Sequence, residues 1–449
     1  MNQRRAFLKT SGMAGLGISG LGILEGFAKG LLTSSGMGSP LDLPGVGFQI
    51  HPQMQEDYQS ALKILNPSQK QLEHGLELHR LSLVIDGYGF MPRAAVDGDL
   101  IAQAIENNAS SLEIQDLLED MSMSRFVIHP REREEFMNAW KASGVTCIIQ
   151  NAGEEGNEIH RLLQRLARFT YTTDMMRHAV TKSIMPDDIL TAKKEHRHAL
   201  YFTGNGVPMP QDWVSVEEEL RYIRTFFQLG IRMMHLTYNR RNMIGDGCGE
   251  TSDGGLSDFG RVVVKEMNRV GVIVDISHSG WKTSLEAAKH SDKPMVASHT
   301  TAASVHQHFR AKPDEVIRAI ADTGGYIGIC CIPRFLGGSG DIAAMMKHID
   351  YVVKKFGPDH VAIGTDVAHT SRFAAEENSK IPPFRRPRNR WQALWPDDPF
   401  PETSLMRKSM AWTNWPLFTV GLVQNGYSDE EIQKILGDNI MRVAKAALA

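Results

Sequence analysis

Cysteine is scarce in this chain, with four in 449 residues. Cys330 and Cys331 are adjacent, and Cys147 and Cys248 stand far from them and from each other. No pair has the Cys-x-x-Cys spacing of a zinc knuckle or redox motif, so no disulfide framework is expected and buried thiols are. An excess of one charge is lacking too: 49 Lys and Arg against 52 Asp and Glu leave a net charge of -3. That balance excludes a basic face for nucleic acid and an acidic tail. Long apolar runs are also missing. The mildly apolar stretch from Met13 to Leu24, closed by Glu25, is about half the ~20 residues needed to cross a bilayer, so no transmembrane span is expected. What remains, at 42% hydrophobic residues, is enough apolar surface for the core of one large α/β domain.

The N-terminus carries Arg4-Arg5-Ala6-Phe7-Leu8-Lys9 ahead of that Gly-rich run. The pattern resembles a twin-arginine export signal and implies a periplasmic or exported protein. The chain is read as a signal over 1–33, a polar lead-in over 34–80, and a barrel over 81–449 that ends in a helix.

Eight short apolar and β-branched runs follow the lead-in. They are Leu83 to Asp86, Val145 to Gln150, Ala199 to Thr203, Arg232 to Leu236, Val272 to Ile276, Met295 to Ala297, Tyr326 to Cys330 and Val361 to Gly364. Helical periodicity separates them, as over Val216 to Leu229, Ser257 to Val270, Trp281 to His290, Pro313 to Thr323 and Ile342 to Phe356. Strict alternation dictates a parallel sheet, and eight units close a (β/α)8 TIM barrel. A doubly wound sheet would carry a Gly-rich phosphate loop after its first strand, and Asp86-Gly87-Tyr88-Gly89-Phe90-Met91 has the wrong spacing for one.

A barrel builds its site at the C-terminal ends of its strands. Here those positions read Tyr88, Asn151, Asn205, Tyr238, His278, His299, Cys331 and Asp366. One histidine after a strand is usually a satisfied core residue. Two on adjacent strands, with a carboxylate on the last, converge on one point. Glu154-Glu155, His196-x-His198 and Cys330-Cys331 read as a solvated charge run, a surface pair and core packing. The stretch Ser371 to Glu402, rich in Pro, Arg and Trp, reads as an excursion over the barrel mouth able to act as a lid, with Arg385-Arg386-Pro387-Arg388 as a solvated loop.

From Phe227 to Gly328 the chain resembles the renal, or membrane, dipeptidase family, peptidase family M19, whose fold is a metallo-dependent hydrolase-like barrel. The likeness rests on Leu229-Gly230-Ile231-Arg232, Leu236-Thr237-Tyr238, Glu266-Met267-Asn268-Arg269, Val274-Asp275-Ile276-Ser277-His278, Ala297-Ser298-His299-Thr300 and Arg310 before Pro313-Asp314. It reaches back to Ile85-Asp86-Gly87 and forward through Gly364-Thr365-Asp366 to a closing helix between Tyr427 and Val443. The resemblance implies that His278 and His299 are metal ligands, that Arg310 binds a substrate carboxylate and that Asp366 handles the proton during hydrolysis.

The rest departs from the family. Tyr88 and Phe90 stand where a His-x-Asp ligand pair belongs, Asn205 replaces the glutamate that bridges two zinc ions, and Tyr238 replaces a substrate-contacting histidine. Phe90 binds no metal, Tyr88 would have to lose a proton whose reference pKa is about 10, and Asn205 offers a neutral carbonyl. The dinuclear centre is therefore not expected, and room remains for one zinc or other divalent ion at most, on His278 and His299 with Asp366 as a third ligand or as the general base. If Asp366 ligates, Tyr238 or His369 is left to take the water's proton.

The expectation is a dipeptidase-like hydrolase of small amide substrates, with Asp366 and Tyr238 catalytic and Arg310, Tyr88 and Asn205 binding a peptide-like or amino-acid-like ligand. The alternative is a metal-free, catalytically altered homologue that binds such a ligand or a partner in periplasmic maturation, for example of a siderophore. A homodimer is compatible with the sequence.

Overall fold

The computed structural model describes residues 51–153, 158–384 and 390–449. The twin-arginine stretch, Glu154-Glu155 and Arg385-Arg386-Pro387-Arg388 lie outside them.

Among the described residues nine parallel strands form one sheet: β1 (Ile85–Gly89), β2 (Cys147–Asn151), β3 (Val180–Lys182), β4 (His198–Gly204), β5 (Ile231–His235), β6 (Ile273–Asp275), β7 (Val296–Thr300), β8 (Tyr326–Ile329) and β9 (Val361–Ile363). Eight of them run in the order β1-β2-β4-β5-β6-β7-β8-β9, which is the expected barrel, each with bounds within three residues of the run that announced it. The ninth, β3, was not expected. It pairs only with the first half of β4, Val180 to Lys182 against His198 to Leu200, while β5 takes the second half from Phe202 onward.

The ends of the sheet meet without a ladder. Asp86 of β1 closes the ring: its carboxylate accepts from Thr365 N (2.9 Å), Thr365 Oγ1 (2.6 Å) and Trp412 Nε1 (3.0 Å), while Asp366 N donates to Tyr88 O (3.0 Å).

Helix boundaries follow their caps. Ser257 accepts from Gly260 N, the helix Asp258–Val270 turns Val263, Val264 and Met267 inward, and Gly271 at φ 96 takes the left-handed cap that releases the chain into β6. The stretch read as a polar lead-in contains two helices, Pro52–Leu65 and Gln69–Leu81. The second lies tight on the helix Trp415–Gln424, with Gly75 against Val420. The closing helix is broken: a π-type turn over Lys434–Asp438, where Gly437 leaves room for the Leu83 carbonyl, precedes Asn439–Leu448. Ile440, Val443, Ala444 and Ala447 of that last segment pack against the first residues of the strands, among them Ile85, Ala199, Val296 and Tyr326. The bottom of the barrel is thus plugged, and the site is left at the opposite, C-terminal end.

Two glycines set the spacing of the last strands. A Cβ at Gly328 or at Gly364 would overlap the carbonyl oxygen of Ser298, the residue before His299. Gly364→Ala is expected to cost about 2 kcal/mol by overpacking, read as a fall in the urea midpoint. An unchanged midpoint would show that β9 can shift outward freely.

Candidate functional site

The site is assembled from strand ends. His235 is the last residue of β5, Asp275 the last of β6, His278 follows β6, and His299 lies within β7; all four are buried. Their rings crowd together, with centroids 5.4 Å apart for His235 and His278, 5.3 Å for His235 and His299, and 5.0 Å for His278 and His299. His278 Nε2 lies 2.9 Å from His299 Nε2, and His235 Nε2 lies 3.0 Å from Asp275 Oδ2.

Each outer nitrogen has a partner that orients its ring. His278 Nδ1 is 2.7 Å from Asn239 Oδ1, and His235 Nδ1 is 2.9 Å from the Gly204 carbonyl. Both acceptors call for an Nδ1 proton and leave the Nε2 lone pair facing inward. His299 Nδ1 meets Ser298 Oγ (2.9 Å), which contacts Ser277 Oγ (3.2 Å), which donates to Asp275 Oδ1 (2.7 Å).

The electrostatics keep His278 and His299 neutral. Burial, reinforced by the Arg310 guanidinium, pushes His278 and His299 well below the usual histidine range. For Asp275 burial works upward, but His235, then His299 and Ser298, outweigh it and hold the carboxyl below the usual range. Asp366 moves the other way: burial raises it to about 6 against the pull of Arg310 and His235. Its backbone sits at φ 57, a left-handed conformation in which a non-glycine residue stores strain, as residues at functional turns often do.

Tyr88 and Tyr238 flank the histidines. Tyr88 lies flat on His299 (3.8 Å, 17°), turns its edge to Phe90, and donates to Asn205 Oδ1 at 2.6 Å. Tyr238 lies flat on His278 (4.1 Å, 21°) and accepts from Trp395 Nε1 at 3.2 Å. Trp395 stacks in turn on Phe335 (5.7 Å, 11°), so part of the 371–402 excursion roofs the histidines.

Arg310 is fully buried and works from beneath. It donates to the Ser277 carbonyl and to the His299 carbonyl (3.0 Å), while its Nε has no partner. Its neighbour Lys312, which donates to Ser279 O, is pushed down to about 7 by burial. Both arms of Arg310 are therefore tied to backbone carbonyls at the strand ends that carry Ser277 and His299.

His369 does not face the site. It hydrogen-bonds Glu135 (2.8 Å), as does His51 (3.0 Å), in a buried cluster of its own. His198 stacks on Trp140 and bonds the Val145 carbonyl, so it packs inward instead of forming a surface pair with the exposed His196. All four cysteines are free and buried, so the reading of Cys330 and Cys331 as packing holds.

The structure brings together the residues expected from the sequence, Tyr88, Asn205, Tyr238, His278, His299, Arg310 and Asp366, and adds His235 and Asp275 to them. The signal for His235 was there: strand alternation puts it on the face of Met233, which packs in the barrel interior.

Fold and site together define a barrel of the metal-dependent hydrolase class. The family model for membrane dipeptidases, peptidase family M19, matches residues 77–384, and the chain belongs to that family. The dipeptidase verJ of Clonostachys rogersoniana is 28% identical over 226 residues, which is 49% of this chain and 50% of that protein; the match spans about half the relative's length. An amidohydrolase from Pseudomonas aeruginosa superposes with a TM-score of 0.58 at 25% identity, covering 83% of this chain and 98% of its own. The probable dipeptidase PvdM from the same organism gives 0.59 at 18% identity, over 85% of this chain and 99% of its own, a likeness of fold. Among the described residues no helix is long and apolar enough to cross a membrane.

Proposed function

We propose that this chain is an exported hydrolase of dipeptide-like or related small amide substrates that works with at most one divalent metal. The observation that carries the reading is the pair of neutral, buried imidazoles His278 and His299, oriented by Asn239 and Ser298, with Asp366 within electrostatic reach of the same centre. Family membership supports the reaction class, and Arg4-Arg5 with the apolar run behind it supports export.

The donor set fits a zinc-type ion. Inward-facing imidazole nitrogens free of protons at neutral pH are its usual ligands, and a carboxylate stands beside them. Tyr88, stacked on His299 with its edge to Phe90, and Phe90 itself stand where the resemblance places the ligands of the family's other metal, which supports one ion rather than two. Such an ion, when bound, supplies a polarised carbonyl or an acidified water.

The chain's own residues do the rest. Asp366 takes the proton of the attacking water, a task suited to a carboxyl with a pKa near 6. Tyr238, its hydroxyl beside Trp395, donates to the oxygen of the reacting amide, and the Tyr88–Asn205 pair holds the polar end of the substrate. Arg310 sets a positive charge under the site, which favours an anionic ligand terminus and keeps the histidines neutral. Trp395, in contact with Tyr238 and His278, places this part of the excursion to serve as a lid.

Elemental analysis of the protein from its native host tests this reading. About one metal per chain, lost in His278→Ala and in His299→Ala, is expected. A wild type without metal would sink the hydrolase and leave the metal-free ligand-binding homologue. That second reading is favoured by one observation: at 2.9 Å the two histidines can share a proton with no ion present.

The pH profile gives a further prediction. Hydrolysis should fall about tenfold per pH unit below about 6 as Asp366 takes up its proton. Asp366→Asn should remove that limb along with the activity.

A further inference from the structure

We infer that the metal of the proposed hydrolase is held deeper in the barrel than the His278–His299 pair alone would place it, by His235, Asp275 and His299. The inference rests on the one-metal reading for the presence of an ion; the ligand set rests on geometry.

One nitrogen each from His235 and His299 and one oxygen of Asp275 lie within 4.8 Å of one another, and all three residues are fully buried. His235 Nε2 and Asp275 Oδ2 are 3.0 Å apart, yet neither atom has a hydrogen-bond partner. An imidazole N–H that served this carboxylate would point along the line between them. Here the ring is aimed beside the oxygen.

Two ligands of a common ion have that relation. With metal–ligand bonds of about 2.0–2.2 Å in a tetrahedral site, neighbouring donor atoms stand roughly 3.3–3.6 Å apart, a small shift from the 3.0 Å seen here, and each points at the ion instead of at the other. A buried, misaligned ion pair would keep the desolvation cost of both charges without a hydrogen bond to offset it.

The surrounding groups prepare both donors. The Gly204 carbonyl takes the Nδ1 proton of His235 and leaves the Nε2 lone pair inward. The other oxygen of Asp275 accepts from Ser277 N (2.9 Å), Ser277 Oγ (2.7 Å) and Ser298 N (3.2 Å), which turns Oδ2 toward the cluster. The Ser298–Ser277 hydroxyl chain carries the Nδ1 proton of His299 to the same carboxylate. These are the outer partners a metal site needs. His278, with its Nε2 2.9 Å from His299 Nε2, stands beside this cluster. His235 thus compensates for the ligands that became Tyr88, Phe90 and Asn205, and Asp366 is left free as a base.

The test is crystallographic and calorimetric, with zinc as the probe. Wild-type crystals soaked in Zn2+ should show an anomalous peak within about 2.3 Å of His235 Nε2 and Asp275 Oδ2. In solution, chelator-stripped His235→Gln and Asp275→Asn, verified as folded by circular dichroism, should bind Zn2+ at least about a hundredfold more weakly than wild type. Asp366→Asn should bind it within about threefold. A peak on His278, His299 and Asp366, or unchanged affinity in the two variants, overturns the ligand set. Absence of Zn2+ binding in the wild type overturns it together with the one-metal reading. Zinc bound on His235 and Asp275 without hydrolysis of dipeptides upholds the inference and sinks the hydrolase.

Discussion

Arg310→Ala is expected to lower the unfolding free energy by about 4 kcal/mol. The Ser277 and His299 carbonyls lose their guanidinium donors, each worth about 1–3 kcal/mol when left unpaired in a buried place, and the largest buried cation of the site leaves a cavity behind. Arg310→Met separates the two causes, because it refills most of the volume and leaves the carbonyls orphaned. The effect on chemistry is as diagnostic. Arg310 holds His278 and His299 down and opposes the rise of Asp366. Without it all three should titrate at higher pH, so the acid limb of hydrolysis should move upward from about 6. Urea denaturation and the pH profile of the same variant check both; an unmoved limb would show that Arg310 supports the strand ends and nothing more.

Glu135→Ala is expected to cost about 3–5 kcal/mol, the usual penalty for breaking a buried charged network from one side. The Glu135 carboxylate is reached by His51 Nε2 (3.0 Å), His369 Nε2 (2.8 Å) and Arg372 N (3.2 Å), with the Arg372 guanidinium 3.6 Å away. Burial pushes this carboxyl upward, but the hydrogen bonds from His369 and His51 outweigh it and hold it well below the ordinary range. A carboxyl held lower in the folded than in the unfolded chain stabilises the fold above its unfolded pKa and loses that contribution as pH falls through the acid range. Wild type should therefore weaken below about pH 4.5, and Glu135→Ala should show a shallower acid limb from a lower plateau. Because His369 lies three residues beyond Asp366, amide exchange over Val367 to Arg372 should quicken in the variant. Equal acid limbs in the two proteins would show that the cluster is not charged in the folded state.

Much of the fold was legible because each strand carries its own signal. Eight runs of apolar and β-branched residues, each preceded by an amphipathic stretch and often by a capping glycine such as Gly271, identify the barrel strands without reference to one another. Two features of that layer escaped. The three residues of β3 are too few to show a period. The helix Pro52–Leu65 lies in a stretch whose composition reads as lead-in.

The site divides along the same line. His278, His299, Tyr88, Tyr238 and Asp366 stand just after or at the ends of apolar runs, where a polar residue is conspicuous. His235 and Asp275 sit inside such runs, and only their shared enclosure reveals two polar atoms 3.0 Å apart with no partner.

The sequence by itself determined the parallel eightfold alternation, the end of the barrel at which chemistry is placed, and the residue types Tyr88, Phe90 and Asn205 near its strand ends. Those properties are local in the chain: a period, a cap, a residue type at a strand end. Only the tertiary structure decided that Arg310 faces backbone carbonyls, that Trp395 roofs Tyr238, and that Glu135 gathers His51 and His369 from 84 and 234 residues away. Each of these depends on which distant surfaces are buried against one another. No window of the chain carries that information, because it exists only once the barrel has closed.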